Sequence, residues 1–125
     1  MHREDNSKFL LYIEPKAEDK SATPKNDEIS AIMALALYNA KRGTANYSNT
    51  EEELRFHEGN GWRGWHSTEC GKHSTGNDYL LPNGMITNSL CVFYLMYYRD
   101  VIPATEMKKV NELCEWWKKN YVYYE

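Results

Sequence analysis

The chain has 125 residues, 42% of them hydrophobic and 26% charged, with 15 Lys and Arg against 18 Asp and Glu. These values fit one globular domain, 1–125, and exclude disordered, collagen-like and coiled-coil classes. A net charge of −3 is not the basic footprint of a nucleic-acid binder, and no apolar run approaches the ~20 residues that span a bilayer.

Residues 1–7 are polar and expected to be flexible. Lys8-Phe9-Leu10-Leu11-Tyr12-Ile13 is a short apolar run closed by Glu14-Pro15, which predicts a buried strand over 8–13. Residues 14–26 are charged, contain two prolines and read as a flexible loop. Asp27 and Glu28 then open a helix predicted over 27–42, with Ile29, Ile32, Met33, Ala36, Leu37 and Ala40 on one face. Lys41 and Arg42 suit its negative end, and Gly43 suits the stop. Thr50-Glu51-Glu52-Glu53 has capping-box spacing and predicts a short helix over 51–57.

From His57 to Thr87 the texture changes. Six of the seven glycines fall in this span, and long irregular segments in small domains are commonly functional. Asn83-Gly84 predicts a hairpin of type I′, with arms 79–81 and 85–87. Thr87 or Asn88 can cap a second helix over 88–100, although an apolar run from Leu90 to Tyr98 also admits a strand. Pro103 opens a third helix over 103–119, with Met107, Val110, Leu113, Cys114 and Trp117 on its apolar face. The predicted fold class is α+β: a mostly helical single domain of about three helices, a small β-sheet and a long Gly/His-rich loop segment.

The charge deficit lies in residues 43–102, which hold four cations and seven anions. The run Glu51-Glu52-Glu53 reads as a solvated face. Three cysteines without a C-x-x-C pair or an export signal read as reduced thiols in a cytoplasmic protein. On that basis the glycosylation acceptor Asn46-Tyr47-Ser48 is idle. Cys91 and Cys114 lie in apolar segments and read as core. Cys70 lies among polar residues.

His66-x3-Cys70-x2-His73, with His57 nine residues earlier, groups imidazole and thiolate, the ligands that zinc prefers. Zinc is therefore the one cofactor the sequence suggests, with Asp78 or Glu69 as a spare oxygen ligand. The same His66, Cys70 and His73, oriented by Glu69 or Asp78, would alternatively serve a small hydrolase-type enzyme. Two catalytic motifs fail on spacing. A zinc deaminase needs His-x-Glu followed by Pro-Cys-x-x-Cys, and the stretch Gly64 to Ser74 has six residues where a P-loop has four.

Trp62-Arg63-Gly64-Trp65 offers two large rings and a guanidinium to stack on a planar group or a partner's side chains. Lys72 and Asn83 add polar contacts. Seventeen aromatic residues are hard to bury in so small a chain, so Tyr94, Tyr97, Tyr98 and the tail tyrosines suggest an aromatic surface for homo-oligomerisation. Together these features suggest a small binding or regulatory protein that recognises a protein partner or small ligand through residues 57–87.

Overall fold

Three helices and a four-stranded antiparallel sheet make up what the computed structural model describes, residues 8–13, 15–21, 23–45, 56–59 and 77–121. This is the expected α+β class.

Helix α1 runs from Glu28 to Tyr38. Its start follows the predicted chemistry, since the Asp27 carboxylate accepts from Ser30 N at 3.1 Å and caps the first turn. The helix ends earlier than predicted. Asn39 turns back on Leu35, its backbone N–H and its Nδ2 both donating to the Leu35 carbonyl. Residues 41–42 therefore belong not to the helix but to strand β1, Lys41–Ala45. Gly43 lies within that strand, buried and flanked by partners on both sides, and terminates nothing.

Strand β2, Phe56–Glu58, replaces the end of the helix predicted over 51–57, and residues 51–55 lie outside those described. Strands β3, Asp78–Leu80, and β4, Ile86–Thr87, form the predicted hairpin, pairing Tyr79 with Thr87 and Leu80 with Ile86. The turn is not type I′, because Asn83 does not adopt a positive φ. Of the two residues that a type I′ turn needs at positive φ, only Gly84 has one, at 93°. The Gly84 N–H donates to Leu81 O and the Leu81 N–H to Met85 O, enclosing the three-residue loop Pro82-Asn83-Gly84. A three-residue hairpin loop of this kind needs its positive φ at the last position, and Pro82 suits the first. The sheet order is β2-β1-β3-β4.

Helix α2 spans Cys91–Tyr97, followed by a 3-10 turn at Arg99–Val101, so the apolar run after Leu90 is helical. Helix α3, Ala104–Asn120, matches its predicted span closely. Helix α1 packs against both other helices. The main core joins Ile32, Met33 and Ala36 of α1 to Tyr94 and Leu95 of α2 and to Val110, Leu113 and Trp117 of α3. Tyr94 and Tyr98 are 0% and 1% exposed, so they build the core rather than an outer aromatic surface. Two points of the loop that precedes α1 are held against α2, where Ser21 N donates to Tyr97 O and Lys25 N to Met96 O.

Of the run 8–13, residues 9–13 are buried as expected but do not form a strand. Phe9 makes one parallel bridge to Ile86, and the chain then leaves the sheet with Leu11 at φ 57°. Buried backbone without a ladder still needs hydrogen-bond partners, and here side chains provide them. Glu106 Oε1 accepts from Leu11 N at 2.7 Å, and Lys109 Nζ donates to Phe9 O at 2.8 Å. Thr87 Oγ1 donates to Leu10 O and Asn88 Nδ2 to Leu11 O. Glu106 and Lys109 pair with each other at 2.7 Å, 1% and 11% exposed in their side chains.

Arg99 fastens the C-terminal end of α2 to the start of α1. Its two terminal nitrogens donate to the two oxygens of Asp27 at 2.9 and 2.8 Å. The Arg99 hydrogen bonds hold the Asp27 carboxyl well below the usual carboxylate range, with the Ser30 amide adding to the effect. A carboxyl depressed in the folded state stabilises the fold above its unfolded value of about 4, and that contribution fades as pH falls below it. Urea midpoints measured from about pH 6 down to about pH 2 should therefore drop less in Asp27→Asn than in the parent chain.

Candidate functional site

The sheet determines where the Gly/His-rich segment begins and ends. Gly43 of β1 pairs with Glu58 on one side and with Asp78 on the other. Residues 59–77 thus leave the sheet and return to it at the same level, on either side of one glycine. Two strand spacings separate these points, roughly 10 Å. Gly59, at φ 135°, turns the chain out of β2, and its N–H donates to Arg42 O at 3.0 Å. Residues other than glycine rarely adopt that φ.

At the returning end Asp78 is 4% exposed. The Tyr12 hydroxyl donates to Asp78 Oδ1 and lies 3.2 Å from the Thr87 carbonyl oxygen. Phe9, Tyr12 and Ile86 form a second small core beneath the sheet, with Phe56 and Leu80 packed against it. The Phe9 and Tyr12 rings meet edge to face at 5.2 Å. One end of the segment is therefore tied to the buried N-terminal run.

The other expected residues are distributed as follows. His57 lies in β2, paired in register with Thr44. Asn83 lies in the hairpin loop, where its Oδ1 accepts from Met85 N at 3.2 Å. That loop follows Leu80, at the far end of β3 from Asp78, so Asn83 is separated from the segment's two ends by the length of the strand. Trp62, Arg63, Trp65, His66, Glu69, Cys70, Lys72 and His73 lie outside the described residues. Among the described residues, no group of three His, Cys, Asp or Glu could hold a metal ion.

Cys91 and Cys114 are buried free thiols. Burial pushes the Cys91 thiol up to about 12 and raises that of Cys114 as well. Neither forms a thiolate at neutral pH, and a thiolate is what metal binding and nucleophilic attack require. Among the cysteines, Cys70 is the one left for such chemistry.

Comparison with protein families, with curated proteins and with solved structures finds no match.

Sequence reasoning missed Tyr12, Glu106 and Lys109 as buried polar anchors. A signal for Glu106 was present. It lies four residues before Val110 and seven before Leu113, on the stripe that faces the core.

Proposed function

We propose that the chain is a small binding protein whose segment 57–87 recognises a protein partner or small ligand. The pairing of Gly43 with both Glu58 and Asp78 is the observation that supports this reading. A rigid sheet that holds both ends of a long segment about 10 Å apart is how scaffolds commonly present recognition residues. In this reading Trp62, Arg63 and Trp65 supply flat surfaces and a cation, and Lys72 supplies a further charge. His57, His66, Cys70 and His73 hold a zinc ion that orders the segment, a set of four that suits a closed tetrahedral site. The binding reading is preferred to the hydrolase alternative because Asp78, the described acid in that alternative, is buried and already accepts from Tyr12.

Zinc titration of the metal-free protein by calorimetry tests the metal part. One equivalent should bind, and His66→Ala and Cys70→Ala should each weaken binding by more than about tenfold. Absence of heat on titration, with thermal stability unchanged by zinc, would overturn it. The recognition part is tested by transplanting residues 59–77 between two strands of an unrelated sheet with the same end spacing. A partner recovered with the parent chain should also bind the transplant. A partner retained by the parent after Trp62→Ala and Trp65→Ala together would overturn that part.

A further inference from the structure

Helix α2 has only 7 residues, too few to be stable by itself. The carbonyls at its C-terminal end need partners from outside the helix. Tyr98 N donates to Tyr94 O, and Arg99 Nε donates to Leu95 O. The last two carbonyls take amides from the loop before α1. Lys25 N donates to Met96 O at 2.9 Å and Ser21 N to Tyr97 O at 2.7 Å. A segment distant in the chain therefore completes the end of α2.

The two amides are fastened differently. At Lys25 the carbonyl accepts from the buried Ser30 hydroxyl at 2.7 Å, and the Nζ pairs with Asp100 at 2.7 Å. Beside Ser21 the fastening is a cation held over rings. Phe93 and Tyr97 lie one turn apart on α2, with ring centroids separated by 4.9 Å. The Lys20 ammonium stands 5.0 Å from the Tyr97 centroid and 5.5 Å from that of Phe93. Both distances fall within the ~6 Å reach of a cation–π contact. Lys20 is exposed and the rings are half-buried, so reagents in solution can reach its nitrogen.

We propose that residues 16–21 are a latch on α2 that is closed by the charge of Lys20, which makes Lys20 a modification site. N-acylation is the chemistry that operates it. The unprotonated Lys20 nitrogen attacks the carbonyl carbon of an acyl thioester. The C–N bond forms as the C–S bond breaks, and the thiol leaves with the proton. The amide so formed carries no charge to hold over the rings, whereas N-methylation keeps the charge and leaves the latch closed. Opening takes the Ser21 amide away from Tyr97 O and frays the end of α2. That end adjoins Arg99, which ties α2 to Asp27 at the start of α1. Modification of one exposed side chain thus reaches the contact between two core helices.

Amide hydrogen exchange followed by NMR tests the latch in the full chain. In the parent, Ser21 should exchange more slowly than an unprotected amide but faster than Leu113 in the core. Lys20→Gln, and the parent acetylated at Lys20, should each speed exchange at Ser21 about two- to fivefold, the effect of losing one exposed cation–π contact. Leu113 should be unaffected. Lys20→Arg should keep the parent rate, because a guanidinium also sits over rings. Tyr97→Leu should match Lys20→Gln, and the two together should exceed neither. Unchanged exchange at Ser21 in Lys20→Gln, or an equal loss in Lys20→Arg, overturns the role of charge. Fully additive effects of Lys20→Gln and Tyr97→Leu overturn the role of the rings. Equal rates at Ser21 and Leu113 in the parent would mean that the loop opens only with the whole fold, and overturn the latch.

Discussion

Glu106→Ala should destabilise the protein by about 3–5 kcal/mol, the usual effect of removing one member of a buried ion pair. Two groups are stranded at once. Lys109 loses the carboxylate 2.7 Å from its Nζ, and the Leu11 amide loses its acceptor inside the core. Urea denaturation followed by tryptophan fluorescence measures the loss, and the melting temperature should fall by roughly 10–20 °C. Glu106→Gln keeps an acceptor for Leu11 while removing the charge, so its loss should be smaller. In many proteins a buried ion pair can be replaced by apolar residues at little cost. Here Glu106→Leu combined with Lys109→Leu should remain destabilised, because the Leu11 amide and the Phe9 carbonyl would then be buried without partners. A double variant as stable as the parent would show that water reaches both backbone groups.

The second large effect is expected at Tyr12. Tyr12→Phe keeps the ring that packs edge to face on Phe9 but removes the hydroxyl that donates to buried Asp78. Hydrogen bonds to charged groups contribute about 1.5–3 kcal/mol, so the variant should lose about that much. The loss should also be local. Amide hydrogen exchange should speed up at Leu80 and Ile86, the pair that closes the β3–β4 hairpin, more than at Leu113 in the core of α3. Unchanged stability together with unchanged exchange would show that Asp78 does not depend on Tyr12.

Much of the helical layer was legible in the sequence because spacing alone reports a buried stripe. Met107, Val110, Leu113, Cys114 and Trp117 share the predicted face of α3; the last four are buried and Met107 is half-buried. Asn83-Gly84 located its hairpin, though the loop includes Pro82 as well and only Gly84 of the pair has a positive φ. Strand β1 was not legible. Lys-Arg-Gly-Thr-Ala has no apolar alternation, and it becomes a strand because β2 and β3 pair with it on both sides, a case of tertiary context overriding local preference. The run 8–13 shows the complementary failure. Its burial was plain from composition, but what replaces its ladder is a glutamate and a lysine about a hundred residues later, residue types that ordinarily face water. Of the candidate site, the sequence located the segment, and the sheet adds where its ends are held. The glycines that make 57–87 conspicuous are also what leave its internal geometry unspecified by pattern.

The seating of residues 9–11 has a consequence for the order of folding. Its hydrogen bonds to Glu106 and Lys109 span 95 and 100 residues of chain. During synthesis, this apolar run must wait for α3, about a hundred residues later, before its backbone is satisfied. Closures this distant slow folding. An apolar segment kept waiting is one that chaperones bind and that aggregates when they do not. Residues 9–11 reach their final places only once α3 has been made.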